Sequence, residues 1–183
     1  MENPVDPSPI QSIDDATVRA AASGARAARR NLYEQTSHRV FRLMVRMVGR
    51  QDAEDLTQQT FVQAFGKLSQ FDGKAKFETW LYRLATNEAL QHLRREKHRR
   101  TKELLVEPTI QPADRLEQSE RAVIVRQALE AIDPELRAIF TLKEESGLSY
   151  QEISLALGIP EGTVGSRLNR ARRELRKLID TPQ

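Results

Sequence analysis

Apolar positions recur at helical spacing through most of the chain. Val40, Leu43, Met44 and Met47 fall at i, i+3, i+4 and i+7, one stripe of a helix that Gly49 can end. A second helix is expected from Asp52 to Lys67, with Phe61, Phe65 and Leu68 on its inner face. A turn at Phe71-Asp72-Gly73 leads to a third helix, Lys76 to Arg95, whose Phe77, Trp80, Leu81 and Leu84 face inward. Pro108 and Pro112 then break the pattern, and helices resume near Asp114. Asp133-Pro134 reads as an N-cap followed by proline at the first helical position, and Gly147 closes that helix. Ser149 to Glu152 spells a capping box, Gly158 ends the helix it opens, and Pro160 starts a last helix to about Ile179. No β-alternation appears, so the expected class is all-α.

These breaks predict four parts. Residues 1–12, with three prolines, read as a disordered tail. Residues 13–98 form a first helical domain, 99–117 a flexible linker, and 118–181 a second domain containing a helix-turn-helix. In the last helix, Val164, Leu168, Ala171, Leu175 and Leu178 make a narrow apolar stripe. Gly162, Ser166, Asn169, Arg170 and Arg173 lie opposite it. A recognition helix needs this arrangement, small residues for close approach and then an amide and guanidinium to reach bases or phosphates. An ordinary helical hairpin with a charged outer face would share part of it.

Composition adds a charge asymmetry. The chain has 183 residues, 29 basic and 26 acidic, for a net +3. Residues 92–102 and 165–178 carry +5 each, so the remainder carries −7. Two basic clusters, each closing a helical pattern, point to two contacts with a polyanion. The absence of cysteine excludes disulfides, thiolate metal sites and a thiol nucleophile. No apolar run approaches a membrane span, and the acidic, Pro-rich start does not read as a signal peptide, so a soluble cytoplasmic protein is expected. His38, His92 and His98 show no metal-ligand spacing and read as surface residues; no metal or cofactor is expected.

Two further faces carry candidate chemistry. On the 52–67 helix, Asp52, Asp55, Gln59 and Gln63 form a polar strip edged by Leu56 and Val62, a pattern shared by protein-docking surfaces and by plain solvated helix; Asp52 reads equally as an N-cap. On the next helix, Arg83, Thr86, Asn87, Leu90 and Arg94 share an outer face. The loop before it offers Phe71, Asp72 and Lys74. Phe71 and Trp80 suit a base-stacking platform, though core packing is the commoner role for such rings.

Three stretches are similar to known signatures. Asp52-Ala-Glu-Asp-Leu-Thr-Gln-Gln-Thr-Phe, Phe77-Glu-Thr-Trp-Leu-Tyr-Arg-Leu-Ala-Thr-Asn and the run from Leu148 through Gly158 to Arg167 resemble, in order, motifs of bacterial extracytoplasmic-function (ECF) sigma factors of the sigma-70 superfamily. The resemblance covers about residues 25–180 and implies a region 2-like domain and a region 4-like domain. It implies that Asp52, Asp55, Leu56, Gln59, Val62 and Gln63 dock on the β′ clamp coiled coil of core RNA polymerase. It assigns the minus-10 element to Phe71, Lys74, Arg83, Thr86, Asn87, Leu90 and Arg94. The minus-35 element falls to Gly162, Thr163, Ser166, Asn169, Arg170 and Arg173. The implied partners are core polymerase, including its β flap, promoter DNA and an anti-sigma factor, with no membrane insertion. Gly165 departs from the pattern, standing where many members carry Arg or Lys; Ser154 replaces a frequent Ala. The implied role is promoter recognition and opening, without catalysis. A helix-turn-helix regulator acting without polymerase, or a decoy binding only anti-sigma proteins, are the competing readings.

Overall fold

The computed structural model describes residues 13–102 and 120–180. The expected tail and nearly all of the expected linker lie outside the described residues. Eight α-helices occur among them: α1 (Asp15–Ala22), α2 (Arg26–Val48), α3 (Arg50–Lys67), α4 (Phe77–Lys102), α5 (Glu120–Ala131), α6 (Pro134–Glu144), α7 (Tyr150–Leu157) and α8 (Glu161–Asp180). A 3₁₀ turn, Leu68–Gln70, follows α3. The all-α expectation is met.

The boundaries have local causes. Asp14 caps α1, accepting from the amides of Ala16 and Thr17. Gly49 ends α2 and starts α3 at φ +86°, a backbone state that side-chain-bearing residues avoid; no atom crowds a Cβ there, so φ alone selects glycine. Helix α3 thus starts two residues before Asp52, which lies in its first turn and is not the N-cap. Helix α4 continues to Lys102, because nothing before Pro108 breaks it, so the first residues assigned to the linker are helical. Asp133 and Pro134 start α6 as expected, and the Ser149–Glu152 capping box is fully formed on α7.

Helices α1–α4 and α5–α8 form two units, yet their apolar interiors are continuous. Leu43, Met44 and Leu81 of the first belong to the same cluster as Ile139, Leu142 and Ile153 of the second. A smaller cluster joins Leu129 and Ile132 of the α5 region, Leu136 of α6 and Leu175 of α8. Buried threonines on α2 and α3 satisfy their hydroxyls locally: Thr36, Thr57 and Thr60 each donate to the carbonyl four residues back.

Arg137 of α6, only 5% exposed, fastens the two units. Its Nη1 donates to the Met47 carbonyl at 2.5 Å and its Nη2 to the Glu130 carbonyl at 2.7 Å. Both acceptors belong to last turns, of α2 and α5 respectively, where carbonyls lack helical partners and the dipole favours a cation. One guanidinium therefore caps a helix in each unit. Burial pushes its pKa below the ordinary arginine value, with Glu130 and Asp133 opposing.

Candidate protein-docking and nucleic-acid interfaces

The α3 face is a shallow groove of about 360 Å³ lined by Asp55, Gln58, Gln59, Val62 and Gln63. Val62 is 73% exposed, an isolated aliphatic on a polar surface. Leu56 is not its counterpart. At 3% exposed it belongs to the core, because its position faces the α2 and α4 side of the helix. Two members of the polar strip are committed inward. Asp52 Oδ2 meets His92 Nε2 of α4 at 3.2 Å, so His92 is a bridge between helices and not simply a surface residue. Gln63 donates to the Glu88 carboxylate at 2.5 Å, and Arg95 donates to its other oxygen at 3.2 Å. Asp55, Gln59 and Val62 remain outward-facing.

The second face runs from the loop onto α4. Phe71, Phe77 and Trp80 pack together, with ring centroids 5.5–6.0 Å apart, and Phe71 and Trp80 are half-buried against the core. The rings are packed and do not form an open platform. Asp72 folds the loop by accepting from Lys74's amide at 3.2 Å and its ammonium at 2.8 Å. The Lys74 contact holds the Asp72 carboxyl below its ordinary value. Arg83, Asn87 and Arg94 are exposed. Thr86 is fully buried and its hydroxyl lacks a hydrogen-bond partner; Leu90 is half-buried. Neither lies on an open outer face, because α7 packs on α4 in addition to α2 and α3 and widens its buried arc beyond the apolar stripe.

The third face is α8. Val164, Leu168, Ala171 and Leu175 are buried as expected, while Leu178 is 44% exposed, beyond the end of the cluster. Gly162, Ser166, Asn169, Arg170 and Arg173 are exposed and Thr163 is half-buried. Ser166 Oγ donates to the Thr163 carbonyl at 3.0 Å, and Arg170 Nε to Glu174 at 2.7 Å. Gly158 ends α7 in the left-handed region, and Ser154 Oγ staples the turn by donating to the Ile159 carbonyl at 2.6 Å. At Gly165 the Tyr150 ring lies 3.5 Å from where a Cβ would stand, so this position packs under an aromatic edge.

Residues 32–99 match the family model described as Sigma-70 region 2, and residues 113–175 match that of Sigma-70, region 4. The chain is 30% identical over 182 residues to the ECF RNA polymerase sigma-E factor of Haemophilus influenzae, covering 92% of this chain and 96% of that one. It belongs to the ECF sigma factors. The sigma-H factor of Pseudomonas aeruginosa is 33% identical over 186 residues, covering 92% and 95% of the two chains. ECF sigma factor SigE of Mycolicibacterium smegmatis is 37% identical over 155 residues, covering 81% of this chain; the chain spans 60% of that relative's length. The solved structure of CnrH in complex with the cytosolic domain of CnrY is 25% identical with TM-score 0.70, covering 92% and 97% of the two chains. The sigma factor RpoE bound to the anti-sigma factor NepR, from Bartonella quintana, shares the fold at TM-score 0.68 and 23% identity, covering 84% and 98%.

In this sigma factor the residues that sequence reasoning missed lie between the regions. Arg46 Nε meets Glu145 at 2.5 Å, and Lys76 Nζ meets Glu152 at 2.8 Å. Glu135 of α6 receives Arg94 of α4 at 3.8 Å and Arg167 of α8 at 3.0 Å. Burial pushes the Glu145 carboxyl above its ordinary value, with Arg46 and Arg42 opposing. At Glu152 burial acts in the same direction, but bonds from Lys76 and Ser149 outweigh it and the pKa falls. Partners this distant in the chain leave no periodic signal. Among the described residues no cluster suited to a metal ion occurs, and no helix is long and apolar enough to cross a membrane.

Proposed function

We propose that this chain is an alternative sigma factor that directs core RNA polymerase to promoters and performs no bond chemistry itself. The observation that carries the reading is the ordered pair of sigma-70 region matches on one chain, with an outward polar groove on α3 and an exposed amide-and-guanidinium face on α8. Asp55, Gln59 and Val62 are the residues free to meet the polymerase clamp. Arg83, Asn87 and Arg94, with Lys74 of the loop, face the minus-10 element, where cationic and amide contacts offset the unstacking of an opened strand. Asn169 and Arg170 read minus-35 bases and Arg173 holds phosphate. Region 4 also meets the β flap. The protein acts in the cytoplasm and an anti-sigma factor is a partner, in keeping with the similar sigma factor RpoE, which is solved in complex with the anti-sigma factor NepR.

The test is transcription by purified core polymerase and this protein on a randomised promoter library. The expected product is a set of start sites preceded by two fixed elements, present only when both components are added. Sequence-specific binding to the same DNA by the protein alone, unchanged by core polymerase, would show a helix-turn-helix regulator instead.

A further inference from the structure

The region 2 match begins at residue 32, so Ile13 and helix α1 lie ahead of it. They are nonetheless built into the first unit. Ile13 is 5% exposed, and Val18 and Ala21 of α1 are buried with it in the main apolar cluster. Helix α1 packs along α2 and touches the 3₁₀ turn Leu68–Gln70. The Ile13 amide donates to Glu78 Oε1 at 2.9 Å, across 65 positions of chain. Glu78 stands in the first turn of α4 and is itself buried. Its other oxygen has no hydrogen-bond partner among the described residues. A cavity of about 10 Å³ lies beside it, lined also by Thr36, Arg39 and Tyr82, with room for one water at most. Burying a carboxyl group costs free energy that hydrogen bonds must offset. Starting α4 does not account for that cost, since an exposed acid in the first turn serves the helix dipole as well. What burial adds is the bond to Ile13.

These contacts converge on one loop. Residues 71–76 carry no helix and run from the 3₁₀ turn to the start of α4. The chain ahead of the region 2 match therefore holds both ends of the loop: α1 at the 3₁₀ turn, and Ile13, through Glu78, at α4. Inside the loop the restraints are short-range. Asp72 binds Lys74 two residues on, and Phe71 meets Phe77 and Trp80. A loop that must receive an unstacked strand gains from being held in one shape beforehand, because ordering it on contact consumes binding free energy.

We propose that Glu78 is a positioning residue for promoter opening: bonded to the Ile13 amide, it makes residues 13–22 a brace that holds the loop 71–76 in the shape that captures the minus-10 strand. The proposal rests on the sigma-factor reading given above. The brace needs an acceptor at position 78 rather than a charge, so glutamine serves there and an apolar residue of similar size does not.

Promoters recovered from the randomised library supply the DNA. A fluorescent adenine analogue in the minus-10 non-template strand brightens as its base unstacks, and so reports opening by core polymerase with the full-length protein. Glu78→Leu, which removes the acceptor, is expected to slow opening about tenfold while competition for core polymerase and holoenzyme binding to minus-35 duplex stay as in the parent. Glu78→Gln, which keeps the acceptor, is expected to restore opening to within about twofold of the parent. Equal losses in all three measurements mark a merely structural residue and overturn the proposal, as does opening by Glu78→Leu at the parent's rate. Asp14→Ala decides the matter where Glu78→Leu does not fold, because it weakens the cap that starts α1 beside Ile13 and leaves α4 untouched. It is expected to slow opening roughly threefold with core binding unchanged, and opening at the parent's rate overturns the brace. A library that yields no promoter opened by core polymerase and the parent protein overturns the sigma-factor reading, and the brace with it.

Discussion

Arg170 and Arg173 sit less than one turn apart on the exposed side of α8, and the proposed function gives them different roles. In that proposal Arg170 releases Glu174 to meet DNA, and a guanidinium offering two parallel donors suits a guanine edge. Arg170→Ala is expected to cost about 1–3 kcal/mol of binding and to relax preference at one or two minus-35 positions. Arg173→Ala should weaken all sequences alike and make the salt slope shallower by about one unit. Binding by holoenzyme across minus-35 variants at several salt concentrations separates the two. Single residues were the least legible scale in the sequence. Periodicity fixes the angle at which Leu56, Thr86, Leu90 and Leu178 leave their helices. It does not fix how many neighbours stack there, so the first three are wholly or partly covered where exposure was expected and the last is exposed where burial was expected. His92 reads as a surface residue in the sequence because its partner, Asp52, becomes near only on folding, and the bond from Ser154 to the Ile159 carbonyl arises the same way.

Helices were far more legible. Their signals are local: the Asp133-Pro134 start, the Ser149–Glu152 box and the glycines at 49 and 158 act within one turn, and each works as read. The ends of α3 and α4 shifted because helix propagates into any residue that does not stop it. Gly158 offers an element-level test. With φ +65° and no crowding at its Cβ, Gly158→Ala should cost about 1–2 kcal/mol from backbone strain alone, read as a lower urea midpoint at unchanged helicity. The α3 face offers another. Asp55→Lys/Gln59→Lys should leave circular dichroism and melting unchanged while the protein loses competition for core polymerase. Parent-like competition would place the docking surface elsewhere.

At the scale of the molecule the sequence showed two units and two basic clusters, but not the way they meet. The seam pairs join residues dozens to about a hundred positions apart, and no pattern within a helix marks Met47 or Glu135 as shared ground. Two carboxyls between the units carry a pH dependence. Glu145, facing Arg46 and Arg42 of α2, has a carboxyl raised by burial, so the folded protein holds its proton more tightly than an exposed glutamate does. Its favourable contribution is complete below the ordinary carboxylate value and is lost as pH rises through its raised value. Glu152 is lowered and acts oppositely, contributing above the ordinary value and losing that contribution as pH falls through its own. Between the ordinary value and that of Glu145, acidification should therefore stabilise the folded protein through this group. A urea midpoint that rises on acidification in this range measures this, and Glu145→Gln should flatten the response.

The polar rungs between α3 and α4 have a mechanical meaning. Asp52 to His92 and Gln63 to Glu88, the latter braced by Arg95, tie the outward groove to α4 at two heights. A handle fixed at two points transmits twist as well as pull. If α3 is gripped as proposed, the orientation of that grip is passed through these rungs to Asn87 and Arg94, so differences in how the clamp seats would become differences in the angle at which α4 is presented to the opened strand.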